Sequence, residues 1–205
     1  RDNDAPQRAC RPFAADRAGT VSAEGGGLVI LETAEHAQAR GAKIYAELAG
    51  FGARSNVHSW SEPDPGGRAI QLALRRAMED AGTTPDGMDL LVPFGLGTVA
   101  HDAAEWAAWN AVFGNRVADV AALTTRGATG NCGAGAGAID FAAAVMTLSR
   151  NTVPASINTE PPAEGCRFRF VRGDPIDARI HQAISLATAV SGGQSAALVI
   201  RKFVE

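Results

Sequence analysis

The sequence predicts a layered α/β fold, and three observations carry that prediction. Apolar runs of strand length alternate with segments whose apolar residues recur at helical spacing. Two of the helical segments, 67–81 and 133–150, are long enough to cover a sheet. The last two strand-like runs are separated only by Ser191-Gly192-Gly193, which predicts an antiparallel hairpin on an otherwise mixed sheet.

The elements follow in order. Residues 1–26 are rich in Arg, Asp, Pro and Gly without periodicity, and read as a surface loop ending in Gly25-Gly26-Gly27. The continuous apolar run 28–31 is short enough for a buried strand. A short helix over 33–40 is closed by Gly41. Over 43–53, Ile44, Ala46 and Leu48 alternate with Tyr45 and Glu47, which predicts a longer strand. Residues 55–67 form a loop. In the helix 67–81, Ile70, Leu74, Met78 and Ala81 make the apolar stripe. After the turn Thr84-Pro85-Asp86-Gly87 comes a strand at 90–94. A helix from about Asp102 places Trp106, Trp109 and Phe113 on one face. Residues 117–123 predict a strand, 133–150 a helix whose first turn is almost all Gly and Ala, and 153–157 an extended stretch. Strands are expected near 168–171, 184–190 and 196–203.

Composition narrows the class. The chain has 205 residues, 46% hydrophobic and 20% charged, with a net charge of −3. That supplies a buried core and excludes a disordered chain. The mildly acidic balance, without a basic block, argues against a nucleic-acid partner. No uncharged apolar run approaches the ~18 residues needed to span a membrane, so no membrane association is expected. Cys10, Cys132 and Cys166 show no CxxC pairing and leave one odd, which fits a reducing, cytoplasmic setting. The opening residues carry neither an initiator Met nor a signal-peptide core, so the chain reads as the middle of a longer one.

Local chemistry alone provides no complete catalytic set. The segment 130–137, Gly-Asn-Cys-Gly-Ala-Gly-Ala-Gly, lies between a strand and a helix and could cradle a phosphate. It lacks the Lys-Ser/Thr of a Walker loop, and close helix packing through small residues is the competing explanation. Cys132 could be an activated thiol at a helix start or a small buried hydrophobe, and no histidine neighbours it in sequence. The histidines His36, His58, His101 and His181 have no metal-ligand spacing, so no metal is expected. His101 with Asp102 reads as a cap for the following helix, and Trp106 with Trp109 as a core stripe.

The order of segments adds a more specific signal. Arg11-Pro12-Phe13, Ala15-Asp16-Arg17, Gly19 and Ala23-Glu24-Gly25-Gly26-Gly27-Leu28-Val29-Ile30-Leu31-Glu32 together resemble the β-ketoacyl synthase stretch RPFDxDRDGFVxGEGAGxLVLE. Glu35-His36-Ala37, Arg40-Gly41-Ala42-Lys43-Ile44-Tyr45-Ala46-Glu47, the helix 72–82, Pro85-Asp86, Val153-Pro154 with Ile157-Asn158, and the Gly192-Gly193 hairpin continue the resemblance across essentially the whole chain. It implies a thiolase-like α-β-α-β-α layered fold. Residues 1–42 would then be the tail of the N-terminal ketosynthase half, and 43–205 the C-terminal half. The family's nucleophilic cysteine would lie upstream of this segment, and Cys10 is not its substitute.

Where the family writes HGTxTxxGD, this sequence has Phe94-Gly95-Leu96-Gly97-Thr98-Val99-Ala100-His101-Asp102, with Phe94 at the histidine position. Where it writes KxxxGH, Arg126 replaces the lysine and Asn131 the histidine. The GFGG turn reads Val190-Ser191-Gly192-Gly193. Phenylalanine can neither stabilise an enolate nor promote loss of CO₂, and asparagine cannot accept and return a proton. Arg keeps a cation but not a lysine point charge. Losing one such group typically costs ~10²–10⁴ in rate. No catalytic residue is therefore expected in this chain, with Phe94, Arg126 and Asn131 as degenerate positions and Phe94, Thr98 and Ser191 as substrate-tunnel candidates.

The resemblance is thus to the chain-length factors of type II polyketide systems, which pair with an active ketosynthase and shape the tunnel for the growing chain. It implies as partners the upstream half of the same fold (in the same or a separate chain), an active ketosynthase subunit and an acyl carrier protein. It implies no cofactor. The alternative is a divergent β-ketoacyl synthase whose nucleophilic cysteine lies upstream or on another chain, or, less favoured, is Cys132.

Overall fold

A computed structural model describes residues 4–191 and 193–204, so Gly192 of the expected hairpin turn and the first three residues of the expected loop lie outside it. After a 3₁₀ turn at Pro6–Arg8 the chain is irregular until α1 (Ala34–Ala39). Thr33 caps α1 by accepting the His36 N–H at 3.3 Å, and Gly41 leaves it at φ +67°. Strand β1 (Glu47–Ser55) starts four residues later than its alternation predicts. A register shift between Leu48 and Gly50 turns Gly50 and Gly52 toward α2 (Arg68–Asp80). A Cβ on Gly52 would meet the Ala73 carbonyl oxygen at 2.2 Å, so glycine here lets the helix lie directly on the strand. In α2 Ile70, Leu74 and Met78 of the predicted stripe are buried, joined by Ala73 and Ala77, while Ala81 is half-buried just past the helix end.

Next come β2 (Leu90–Val92) and α3 (Val99–Phe113), which begins three residues before the sequence predicts. Trp109 and Phe113 are buried on α3, while Trp106 is half-buried with the Arg17 guanidinium 4.8 Å above its ring. The strand expected over 117–123 is instead a helical turn, α4 (Arg116–Asp119), followed by a short β3 (Ala121–Ala122). Arg116 donates to the Asp86 and Met88 carbonyls at 3.4 and 3.3 Å, and this tertiary tie overrides the β-propensity of Val117. Helices α5 (Arg126–Thr129) and α6 (Ala136–Arg150) flank a 3₁₀ turn at Gly133–Gly135. Strands β4 (Thr152–Val153), β5 (Arg169–Phe170), β6 (Ile176–Asp177), β7 (Gln182–Thr188) and β8 (Gln194–Arg201) complete the chain. Of the extended stretch expected at 153–157, only Val153 belongs to a strand.

Six strands form a mixed sheet in the order β1-β8-β7-β2-β3-β5, and β4 pairs with β6 apart from it. Strands β7, β2, β3 and β5 run parallel, while β8 is antiparallel to both neighbours, as the hairpin predicts. Alternation along the strands divides the core. Leu91, Ile184, Leu186 and Val199 join α2, α3 and the Phe13-Phe168-Phe170 aromatic group. Leu90, Val92, Ala183 and Ile200 join Ala144 and Leu148 of α6 on the opposite side. The sheet therefore carries α2 and α3 on one face and α6 on the other.

The run at 28–31, expected as a buried strand, is neither paired nor buried: Leu28, Ile30 and Leu31 are 88%, 77% and 67% exposed. Its composition suits a strand, but among the described residues no strand pairs with it. Just before it, the glycine run crosses α6 so closely that a Cβ on Gly135 would fall 2.2 Å from the Gly25 carbonyl oxygen. Small residues at 130–137 thus serve close packing. Residues 10–14 and 17 are buried although they are loop, because they are woven into distant segments: Ala15 N–H to Pro161 O, Ala163 N–H to Phe13 O and Gly19 N–H to Gly97 O.

Candidate functional site

The parallel strands β2, β3 and β7 end on the same side of the sheet, and the loops that follow them meet there, the usual position for a site in an α/β fold. An open cleft of about 880 Å³ lies at that end. Phe94, Asn131, Gly133, Ala134 and Gly137 form one wall; Ala53, Arg54 and Ser55 at the end of β1 and residues 187–191 and 194–196 form the other. The structure thus brings together Phe94, Asn131 and Ser191. Thr98 does not line this cleft; its hydroxyl is 3.0 Å from His101 Nδ1, and its carbonyl accepts from Arg17 Nε at 3.3 Å.

Phe94 is 3% exposed and packs with Leu96, Ala136, Cys132 and Ala187. The Arg126 guanidinium carbon is 4.5 Å from its ring centroid, a cation–π contact in a dry setting. Arg126 is wholly buried; it pairs with Asp140 and donates from Nη1 to Thr125 Oγ1 at 2.8 Å, while Thr125 Oγ1 donates to Asp140 Oδ1 at 2.7 Å. Arg126 Nε has no hydrogen-bond partner among the described residues. Burial pushes the Asp140 carboxyl up to about 6, with Arg126 and Thr125 pulling the other way. The Arg126 cation is therefore spent on Asp140 and on the face of Phe94.

Asn131 is held by its backbone: its N–H donates to Val21 O at 2.8 Å, and its carbonyl accepts from Ala23 N–H at 3.0 Å. Its side-chain Oδ1 accepts the Gly133 N–H at 3.1 Å, a local turn bond that fixes the amide's orientation. Cys132 is partly buried, its Sγ 3.9 Å from the Thr129 carbonyl oxygen. A Cβ on Gly25 would meet that sulfur at 3.0 Å, so the glycine run crosses directly over it.

The loop carrying Phe94 is held by two carboxylates that periodicity does not assign to the site. Glu105 Oε1 accepts the Phe94 N–H at 2.7 Å and Trp109 Nε1–H at 3.2 Å, while Oε2 accepts the Gly95 N–H at 2.9 Å. Asp102 accepts the Gly97 N–H at 2.9 Å and the Phe13 N–H at 2.8 Å, with Arg17 Nε 3.6 Å away. Asp102 is therefore not the simple helix cap the sequence predicts; it reaches back from the first turn to tie two loops together. Burial raises Glu105 to about 7 and Asp102 to about 6 against these hydrogen bonds. Gly95, at φ +67°, is required here, because a Cβ would sit 2.7 Å from the Phe13 ring. The signal for these residues was an acid at 102, 105 and 140 on otherwise apolar helix faces, each of which demands a buried partner. Among the described residues there is no group of three or more side chains suited to a metal.

Comparison with known proteins supplies the family. Residues 45–160 match the profile of the β-ketoacyl synthase C-terminal domain. The chain belongs to the β-ketoacyl synthase family. It is 33% identical over 201 residues to 3-oxoacyl-[acyl-carrier-protein] synthase 2 of Coxiella burnetii, covering 98% of this chain and 49% of that protein. It is 36% identical over 193 residues to nodulation protein E of Rhizobium leguminosarum bv. trifolii, covering 94% and 47%. The chain thus spans about half the length of the curated relatives it matches. Among solved structures, a type II PKS ketosynthase in complex with its acyl-carrier protein and bound to the hexaketide superposes with a TM-score of 0.94 at 29% identity, covering all of this chain and 50% of that one. The ishigamide ketosynthase/chain length factor superposes at 0.89 and 28%, covering 96% and 47%. The fold is the thiolase-like fold of ketosynthases, of which this chain supplies one half. No helix among the described residues is long and apolar enough to cross a membrane.

Proposed function

We propose that this chain is the C-terminal part of a ketosynthase-like subunit that does not itself condense acyl chains, and that it pairs with an active ketosynthase to shape the acyl tunnel, in the manner of a chain-length factor. The observation that carries this reading is Phe94, a buried aromatic ring clamped under Arg126 at the position where the family writes histidine. With Arg126 bound to Asp140, Phe94 without a polar side-chain atom and Asn131 able to donate a neutral amide hydrogen bond but not to accept and return a proton, these three positions carry no proton-transfer group.

Phe94 and Ser191 serve as tunnel wall in this reading. Thr98, turned toward His101, contributes to the loop instead. The exposed run 28–31, together with an apolar groove of about 280 Å³ lined by Val29, Leu31, Leu48, Phe51, Phe141 and Leu198, is the surface for the upstream half of the fold. Residues 1–42 then belong by descent to the N-terminal half and 43–205 to the C-terminal half, in a cytoplasmic assembly served by an acyl carrier protein. The identity of 33–35% to proteins named 3-oxoacyl-[acyl-carrier-protein] synthase 2 favours a second reading, a divergent condensing enzyme with its nucleophile upstream. The full-length protein, purified alone and with its ketosynthase partner, separates the two. Condensation of malonyl thioesters only in the partner's presence is expected, and condensation by the lone protein overturns the proposal.

A further inference from the structure

We propose that Glu105 is a proton-controlled positioning residue: ionised, its two carboxylate oxygens hold the Phe94-Gly95 turn and the Trp109 indole, and protonated, it surrenders one of those bonds and loosens the turn that seats Phe94 against the cleft. The inference concerns the loop itself and holds for either reading of the protein's function.

The geometry makes the device specific. Three donors converge on one carboxylate that is 3% exposed: the backbone N–H groups of Phe94 and Gly95 and the Trp109 indole N–H. An ionised carboxylate accepts from all three. A neutral acid carries its proton on one oxygen, which then faces a donor with a donor. Of the other side chains that reach this loop, Thr124 Oγ1 donates to the Phe94 carbonyl at 3.4 Å, and Asp102 accepts from Gly97 and Phe13; neither accepts the Phe94 or Gly95 N–H.

The charge around Glu105 sets where it titrates. On its own helix, Asp102 one turn away is negative, and His101 is engaged with Thr98. From the N-terminal loop Arg17 approaches, but at 3.6 Å from Asp102, which it neutralises in preference. From the loop after the cis Glu160-Pro161 bond, Cys166 faces both acids, its thiol pushed up to about 11 by burial and so uncharged. Before α2, Glu62 and Asp64 face the same small cavity, and Asp64 already accepts the Gly66 and Arg68 N–H groups. Arg126 lies beyond the Phe94 ring, paired with Asp140. Glu105 is thus a buried acid with no cation of its own, which raises it toward neutrality. A cavity of about 50 Å³, lined by Glu105, His101, Ile70, Thr188 and Ser195, gives protons a route to it.

Trp109 provides the readout, since its indole N–H is one of the three donors and the chain has only 3 tryptophans. The test is ¹⁵N-tryptophan NMR of the full-length protein, with Trp60→Phe and Trp106→Phe variants for assignment. The Trp109 indole resonance is expected to follow one titration with its midpoint near the value of about 7 held by Glu105. Glu105→Gln, whose amide places a donor where the carboxylate had an acceptor, is expected to hold the resonance at its low-pH position throughout. His101→Gln is expected to leave the midpoint in place. A Trp109 resonance that does not move between about pH 5.5 and 8.5 overturns the proposal on the unmodified protein alone. A titration that persists in Glu105→Gln, or vanishes in His101→Gln, overturns it equally.

Discussion

Removing Asp140 from beneath Arg126 is expected to be among the most damaging single changes in the chain. Both side chains are 0% exposed, and the carboxylate is the guanidinium's only counter-charge among the described residues. Asp140→Ala leaves Arg126 with Thr125 Oγ1 as its one hydrogen-bond acceptor and the Phe94 face as its one electrostatic partner. It also removes the acceptor for the Thr125 hydroxyl. An uncompensated buried charge of this kind costs about 3–5 kcal/mol, a large share of the ~5–15 kcal/mol that holds a typical protein together. Replacing both partners by apolar residues of similar length, Arg126→Met with Asp140→Leu, removes the charge and its penalty together. That double variant is expected to regain most of the loss, to within about 1–2 kcal/mol of the parent. Urea unfolding of the full-length protein near pH 7.5, followed by far-UV circular dichroism with the slope held common, measures both. A loss under about 1 kcal/mol for Asp140→Ala, or a double variant as unstable as the single one, refutes the reasoning.

Three further outcomes are expected. Glu105 sits at about 7 in the fold against an ordinary 4.5, so the folded state holds a proton that the unfolded state releases. The stability it contributes is complete below about pH 4.5 and is lost as pH rises through about 7, a swing on the order of 3 kcal/mol; Glu105→Gln flattens this part of the pH–stability curve, and an unchanged curve counts against the assignment. Gly127→Ala places a Cβ 2.2 Å from the Ile157 carbonyl oxygen, and thermal melts are expected to register a loss of at least ~1–3 kcal/mol. Ile30→Glu, at 77% exposure, is expected to leave the stability of this chain by itself within ~0.5 kcal/mol yet to abolish co-purification with the upstream half; retained co-purification removes that surface from the account.

What the sequence made legible follows from which forces are local. Helix α2 was readable because Ile70, Leu74 and Met78 repeat at the helical period and Gly82 ends the run. The β7–β8 hairpin was readable because nothing longer than a turn separates two apolar strands. Residues 28–31 have strand composition, but pairing and burial are properties of neighbours, and among the described residues no strand pairs with this run. The turn at Arg116–Asp119 was hidden because long-range bonds from Arg116 to the Asp86 and Met88 carbonyls decide it. At the site, Phe94 and Asn131 were found by position in a family pattern, and both line the cleft; Thr98 was found the same way and does not. Glu105 and Asp140 were legible in principle as acids on apolar helix faces. Their partners, a turn eleven residues back and an arginine fourteen back, are set by tertiary structure alone.

Intact mass spectrometry of the purified full-length assembly after exposure to an acyl-phosphopantetheine thioester tests the central claim most directly. The account predicts an acyl adduct on the co-purifying ketosynthase and none on the polypeptide that carries Phe94 and Asn131. An adduct on that polypeptide, at Cys132 or at an upstream cysteine, contradicts it.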